Sequence, residues 1–178
     1  MGREVRMVPK DWEHPTYINE YRGEEARPMF NESFQAACAE WDEDKRKWDD
    51  REDPYAKDEH YEKYSFEEWH GERPDNPEYY MPDWPKEERT HLMMYENTSE
   101  GTPISPAFET PEELARWLAD NGASSFGSFT ASYEEWLTVC RGGWAPSGGI
   151  QDGEMMGGVE LMHKNKQDKE SQEPVGEG

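Results

Sequence analysis

The sequence predicts an α+β fold: a small, mostly antiparallel sheet with about three helices and a loop-rich, acidic-aromatic segment. Two kinds of signal carry this expectation. Ser65–Glu68, Thr110–Glu113 and Ser132–Glu135 are Ser/Thr-x-x-Glu boxes, which satisfy orphan backbone groups at a helix start. The alternating segments REVRMV and HLMMYENTS suit strands, and IQDGEMMGGVELM suits a hairpin turning at Asp152-Gly153.

In chain order, REVRMV places Val5 and Met7 on one side and Arg6 and Val8 on the other, so a short strand ends at Pro9. A proline-bounded turn follows to Pro15. Asn31 is placed as the cap of a long helix reaching Asp50. Phe34, Ala37, Cys38, Trp41 and Trp48 recur on its apolar side, and Glu40, Glu43, Asp44, Lys47 and Asp50 on the other. Residues 51–90 hold five prolines among acids and aromatics. Within them Ser65 opens a short helix closed by Gly71, and Asp83-Trp84-Pro85 opens a brief helical turn through Arg89. TPISPAF lies beside the HLMMYENTS strand as an irregular second strand. Pro111 then occupies the first position of a helix facing inward through Leu114, Trp117 and Leu118, with Gly122 as its stop. A second helix from Ser132 turns Tyr133, Trp136, Leu137 and Cys140 inward and ends at Gly142-Gly143. The expected organisation is one domain over 1–162 with an acidic-aromatic insertion around 51–90. A disordered polar tail is expected over 163–178.

Composition narrows function. Only 33% of residues are apolar, but 13% are aromatic, so a few large side chains must form the core. The net charge is -22. Residues 31–90 carry nine basic and twenty acidic side chains, a net of −11. Such a surface repels nucleic acid and anionic lipid and attracts basic protein surfaces. Cys38 and Cys140, both on apolar helix faces, are expected as two reduced, buried thiols. No apolar run long enough for a membrane span is present, and a cytoplasmic protein is expected.

Catalytic chemistry finds little support. His14, His60, His70, His91 and His163 are scattered without an HExxH or paired-cysteine pattern, so no metal or cofactor is expected. Neither Ser99, Thr102 and Ser105 nor the cysteines sit in a nucleophile elbow. EGTPISP lacks the ending of a phosphate loop. The distinctive feature is instead the acidic-aromatic density from Trp41 to Trp84. Trp41, Trp48, Trp69 and Trp84 are candidate interface anchors, and Asp44, Asp49, Asp50, Glu67 and Glu68 candidate carboxylates for a basic groove. The simpler account makes those aromatics core and those acids a solvated face. A second site reading joins Tyr95, Ser99, Thr102, Ser105 and Trp144 as walls of a pocket for a nucleotide-like small molecule.

Three blocks carry a resemblance: REVRMVPKDWEHP, YMPDWPKEERTHLMMYENTSEGTPISPAFETPEELARWLADNGASSFG, and TASYEEWL with GGWAPSGG. Together they resemble a family of uncharacterised phage and prophage proteins, over most of residues 1–161 and least over 16–75. The resemblance carries no catalytic residues. It implies a bacteriophage accessory protein acting in the bacterial host cytoplasm, where such proteins often modulate host enzymes or defences. The leading expectation is a non-enzymatic acidic protein that engages and inhibits a basic host protein, by nucleic-acid mimicry in one version. Neither nucleic acid nor membrane is an expected partner, and self-association is left open. Sequestration of a nucleotide-like molecule is the alternative, and a minor virion structural or assembly role ranks third.

Overall fold

The computed structural model describes residues 2–59, 61, 63–97, 101–151 and 154–172. In chain order the elements are strands β1 (Arg3–Val8), β2 (Thr16–Asn19) and β3 (Gly23–Ala26), then helices α1 (Phe34–Asp49) and α2 (Phe66–His70). Strands β4 (His91–Glu96) and β5 (Thr102–Pro103) precede helices α3 (Pro111–Asp120) and α4 (Tyr133–Gly142). Strands β6 (Trp144–Ala145), β7 (Gly148–Gln151) and β8 (Glu154–Gly157) lead into helix α5 (Gly158–Gln172). This is an α+β fold with small antiparallel sheets. The chain divides into two units: one made of Met1–Pro28 and Trp84–Gly178, the other of Met29–Asp83. The unit that separates therefore begins well before residue 51, because α1 shares its apolar face with α2.

The larger unit is built on a four-stranded sheet in the order β5-β4-β1-β6. β1 and β4 run antiparallel from Arg3 opposite Glu96 to Val8 opposite His91. Side chains alternate along each strand, so Val5 shares one face with Met94 and Leu92, and Glu4 and Arg6 share the other with Tyr95 and Met93. The first face meets α3 and α4. Met94, Leu114, Leu118, Trp136 and Val139 are fully buried there, with Cys140 and Ala145 beside them. Each buried leucine contributes about 1.5–3 kcal/mol of transfer free energy. Cys38 and Cys140 are both buried free thiols, as expected.

The capping boxes at Thr110 and Ser132 form as their spacing requires. Thr110 Oγ1 accepts the Glu113 N–H at 3.2 Å while Glu113 Oε2 accepts the Thr110 N–H at 3.1 Å. Gly143, at φ 84°, closes α4 in the left-handed conformation and turns the chain into β6. β7 and β8 pair as the expected hairpin, and its turn, Asp152-Gly153, lies outside the described residues. Gly158 lets α5 start directly against the preceding loop, since a Cβ there would lie 1.6 Å from the Pro146 carbonyl oxygen. α5 then runs to Gln172, where a disordered tail from His163 was expected. Its apolar content is small, but Val159 is fully buried and Met162 packs on the core. His163 bonds Thr138 Oγ1 at 2.8 Å, which ties the helix to α4. Residues 173–178 lie outside the described residues.

In the unit Met29–Asp83, α1 is capped by Ser33, not Asn31: its Oγ accepts the Ala36 N–H at 3.2 Å. Phe30 is held extended by a bridge to Tyr80, with Phe30 N–H donating to Tyr79 O and Met81 N–H to Phe30 O. The chain is thus still straight at Asn31 and turns into the helix two residues later. Phe66, 3% exposed, enters the unit's core between Trp41 and Trp48, with ring centroids 5.1 and 5.9 Å away. The helical turn expected from Asp83, which straddles the unit boundary, contracts in the larger unit to a tight turn, with Glu88 N–H bonding Pro85 O.

Candidate functional site

The aromatic and acidic side chains proposed as one interface have different roles. Trp41 and Trp48 are half-buried around Phe66, and Trp41 Nε1–H donates to Gly71 O at 3.0 Å. Both are structural. Trp69 is 40% exposed and stands in a cluster with Tyr55 and Tyr61, at centroid distances of 5.3 and 4.5 Å. The acids are engaged within the unit. Asp44 takes Lys47 at 2.9 Å, Asp49 takes Lys45 at 3.3 Å, and Glu67 meets the same lysine at 3.4 Å. Asp50 takes Arg46 at 2.8 Å, and Arg46 also holds Glu43 and Glu52. Glu68 completes the Ser65 capping box. The hydrogen bonds that Arg46 donates to Glu43, Glu52 and Asp50 hold its guanidinium pKa far above the ordinary value. The bond from Arg73 likewise lowers that of Asp42. Trp84 belongs to the other unit and packs edge-on to Trp12 at 4.6 Å.

The residues proposed as pocket walls share part of the sheet but carry structural duties. Trp144, Glu4, Tyr95 and Pro103 form one transverse row across four strands. Tyr95 is fully buried, whereas Trp144 at the sheet edge is half exposed. Ser105 Oγ accepts the Met94 N–H at 2.9 Å and donates to Pro106 O at 2.8 Å, fastening the loop after β5 to β4. Thr102 pairs with Glu96 in the ladder. Ser99 lies outside the described residues. Two aromatic-walled cavities of this unit are lined by other side chains.

Behind β1 and β4 the structure assembles a polar cluster that spacing alone did not single out. Trp12 Nε1–H donates to Tyr95 Oη at 3.2 Å, and His14 Nδ1 lies 3.2 Å from the same oxygen. His14 Nε2 is 2.6 Å from the Arg27 carbonyl, which can only accept, so Nε2 carries the proton. Burial, and secondarily the Arg6 charge, lower the His14 pKa, which keeps the ring neutral and Nδ1 an acceptor. The Tyr95 hydroxyl therefore donates to Nδ1, a better acceptor than the Met93 sulfur 3.3 Å away. The result is a directed relay: Trp12 N–H to Tyr95, Tyr95 O–H to His14, His14 N–H to Arg27. Arg6 stacks over the Tyr95 ring at 4.3 Å and approaches Glu4 at 3.5 Å. Burial raises the Tyr95 pKa and lowers that of Arg6. The signal available in the sequence was Trp12-x-His14 between two prolines, which points both rings to one side of an extended segment.

Two concave surfaces of this unit have aromatic walls. A cleft of about 510 Å³ lies along α3, lined by Phe108, Trp117 and Tyr133 with Glu112, Glu113, Arg116, Asp120 and Asn121. Arg116 stacks on Tyr133 at 3.9 Å. A groove of about 450 Å³ is walled by Trp12 and Trp84 and edged by Asp11, Glu87 and Glu88 with Lys10.

No family model, curated protein or solved structure matches this chain. Among the described residues no helix is long and apolar enough to cross a membrane, and no group of three or more His, Cys, Asp or Glu side chains could hold a metal ion.

Proposed function

We propose that this chain is a non-enzymatic acidic binding protein that engages a host protein through a basic surface on that partner. The carrying observation is in the unit Met29–Asp83: eighteen acidic against seven basic side chains, with Tyr55, Trp69 and Tyr79 exposed among them. Rigid, part-exposed aromatics set in a negative field suit the anchor-and-rim pattern of protein interfaces. The resemblance of the N-terminal and central blocks to phage accessory proteins supports a phage origin and inhibition of a host complex in the bacterial cytoplasm as the purpose. Asp42, Glu43, Asp44 and Asp49 of α1 are already paired, so the reading rests on the net field and the aromatic cluster rather than on a phosphate-like array.

Affinity capture from bacterial lysate at low and high salt tests this, with the Tyr55→Ala/Trp69→Ala variant run in parallel. A basic protein retained at low salt, released at high salt and lost with the variant is the expected result. Capture that ignores both salt and the variant, or no basic partner at all, refutes it. A second reading, sequestration of a nucleotide-like molecule, rests on one observation, the aromatic lining of the cleft along α3 by Phe108, Trp117 and Tyr133, whose edge also carries Glu112, Glu113 and Asp120 against Arg116. Stabilisation by nucleotides in a thermal-shift screen would favour that reading; none would remove it.

A further inference from the structure

The groove lined by Trp12 and Trp84 has the chemistry of a receptor for a cationic side chain, on a different unit from the face argued above. Both walls are held in place. Trp12 donates its indole N–H inward to the buried Tyr95 hydroxyl, and the Trp84 carbonyl accepts Arg89 Nε–H at 2.9 Å. The rings meet edge to face at 4.6 Å, so the wall is pre-organised. At the edge stand three carboxylates, Asp11, Glu87 and Glu88, against one ammonium, Lys10. Among the described residues none of the three carboxylates has an ion-pair or hydrogen-bond partner, in contrast with Asp42 and Glu43 on α1 and Asp50 at its end.

The occupant must satisfy both surfaces. A purely apolar group would cover the indoles but strip water from carboxylates without replacing it. An anion would meet a net negative edge. A lysine or arginine side chain lays its methylene stem on the indole carbons and presents its charged head to the acids. We propose that this groove binds an exposed lysine or arginine side chain of a basic partner protein. The inference deepens the reading of a basic partner by adding a contact on the larger unit, and it rests on that reading only for the source of the side chain.

The test uses the full chain and a defined probe, the peptide acetyl-Gly-Arg-Gly-Arg-Gly-amide, with its glutamine counterpart as control. Binding is followed through the indole N–H resonances, assigned by single Trp→Phe variants. The expected result is a saturable shift of the Trp12 and Trp84 signals with the arginine peptide and none with the glutamine peptide. Neutralising the edge in Asp11→Asn/Glu87→Gln/Glu88→Gln, all exposed positions, should weaken binding about fivefold or more, given that each exposed ion pair is worth roughly a factor of two to five. Glu87→Lys/Glu88→Lys should abolish it. Equal shifts with both peptides, shifts confined to Trp41, Trp48 or Trp69, indifference to the charge variants, or no shift each overturn the proposal. If the peptide fails while salt-sensitive capture succeeds, the groove is wrong and the broader reading stands. If the peptide binds but capture fails, the reverse holds.

Discussion

Replacing Tyr95 by Phe removes one oxygen from a fully buried ring and leaves the ring's packing intact, so the cost isolates the relay. Two hydrogen bonds are lost: the one accepted from Trp12 and the one donated to His14, both 3.2 Å long. A net bond of this kind contributes about 1 kcal/mol, and a buried group left without a partner costs about 1–3 kcal/mol. Trp12 and His14 are half-buried rather than fully buried, so the lower figures apply. The expected loss is about 2 kcal/mol. For a chain of this length that corresponds to a fall in Tm of roughly 4–8 °C. Urea unfolding of the parent, Tyr95→Phe, Trp12→Phe and the double variant forms a cycle with an expected coupling of about 1 kcal/mol. The Trp12 indole resonance should also move in Tyr95→Phe. Stability within about 0.5 kcal/mol of the parent, with additive effects in the cycle, would refute the relay.

Two further outcomes follow from the same geometry. Phe66→Ala empties the space between Trp41 and Trp48 and should cost about 3–5 kcal/mol. Hydrogen exchange should then accelerate across α1 and α2 while the amides around Leu114 and Trp136 stay protected; uniform acceleration would mean that the units do not open separately. His14 has a folded-state pKa below its ordinary value of 6.5, so the unfolded chain binds the extra proton first. Stability contributed by keeping this ring neutral is present above about pH 6.5 and falls as the pH drops below it toward the folded-state value. His14→Gln should flatten that part of the pH profile in thermal melts, and an unchanged profile would contradict the assignment.

What the sequence made legible was local. Thr110, Ser132 and Ser65 cap their helices because capping depends on four consecutive residues and on no distant partner. Val5 and Arg6 fall on opposite sheet faces because alternation is intrinsic to a strand. What the sequence left open or placed differently is non-local. Asn31 loses the cap to Ser33 because Phe30 is bound to a strand-like segment fifty residues away. Trp41 and Trp48 read first as core and second as anchors, and Phe66, reached only through the intervening loop, is the partner they pack on. Tyr95 reads as a pocket wall from its glycine- and serine-rich surroundings, yet its hydroxyl is consumed by Trp12 and His14 from the opposite end of the sequence. The α5 segment is polar in composition, and only its packing on α4 through Met162 and His163 makes it a helix worth ordering.

The distribution of paired and unpaired acids says how the negative charge can act. In the unit Met29–Asp83, Lys45, Arg46, Lys47 and Arg73 between them hold Asp42, Glu43, Asp44, Asp49, Asp50, Glu52 and Glu67. Four cations serve seven carboxylates, so pairing orders these side chains without neutralising them. The pairs are exposed, each worth about 1 kcal/mol or less, and losing one would do little to stability. The residual field is what a partner meets, and it is screened beyond roughly 8–10 Å at ordinary ionic strength. Such a field accelerates encounter with a basic surface more than it holds the complex, so salt should lower the association rate before it raises dissociation. Retention then falls to the aromatic groups and to carboxylates with no cation of their own. In the larger unit those conditions meet at Trp12 and Trp84, where Asp11, Glu87 and Glu88 edge two indoles in contact, the first of them fixed by the relay.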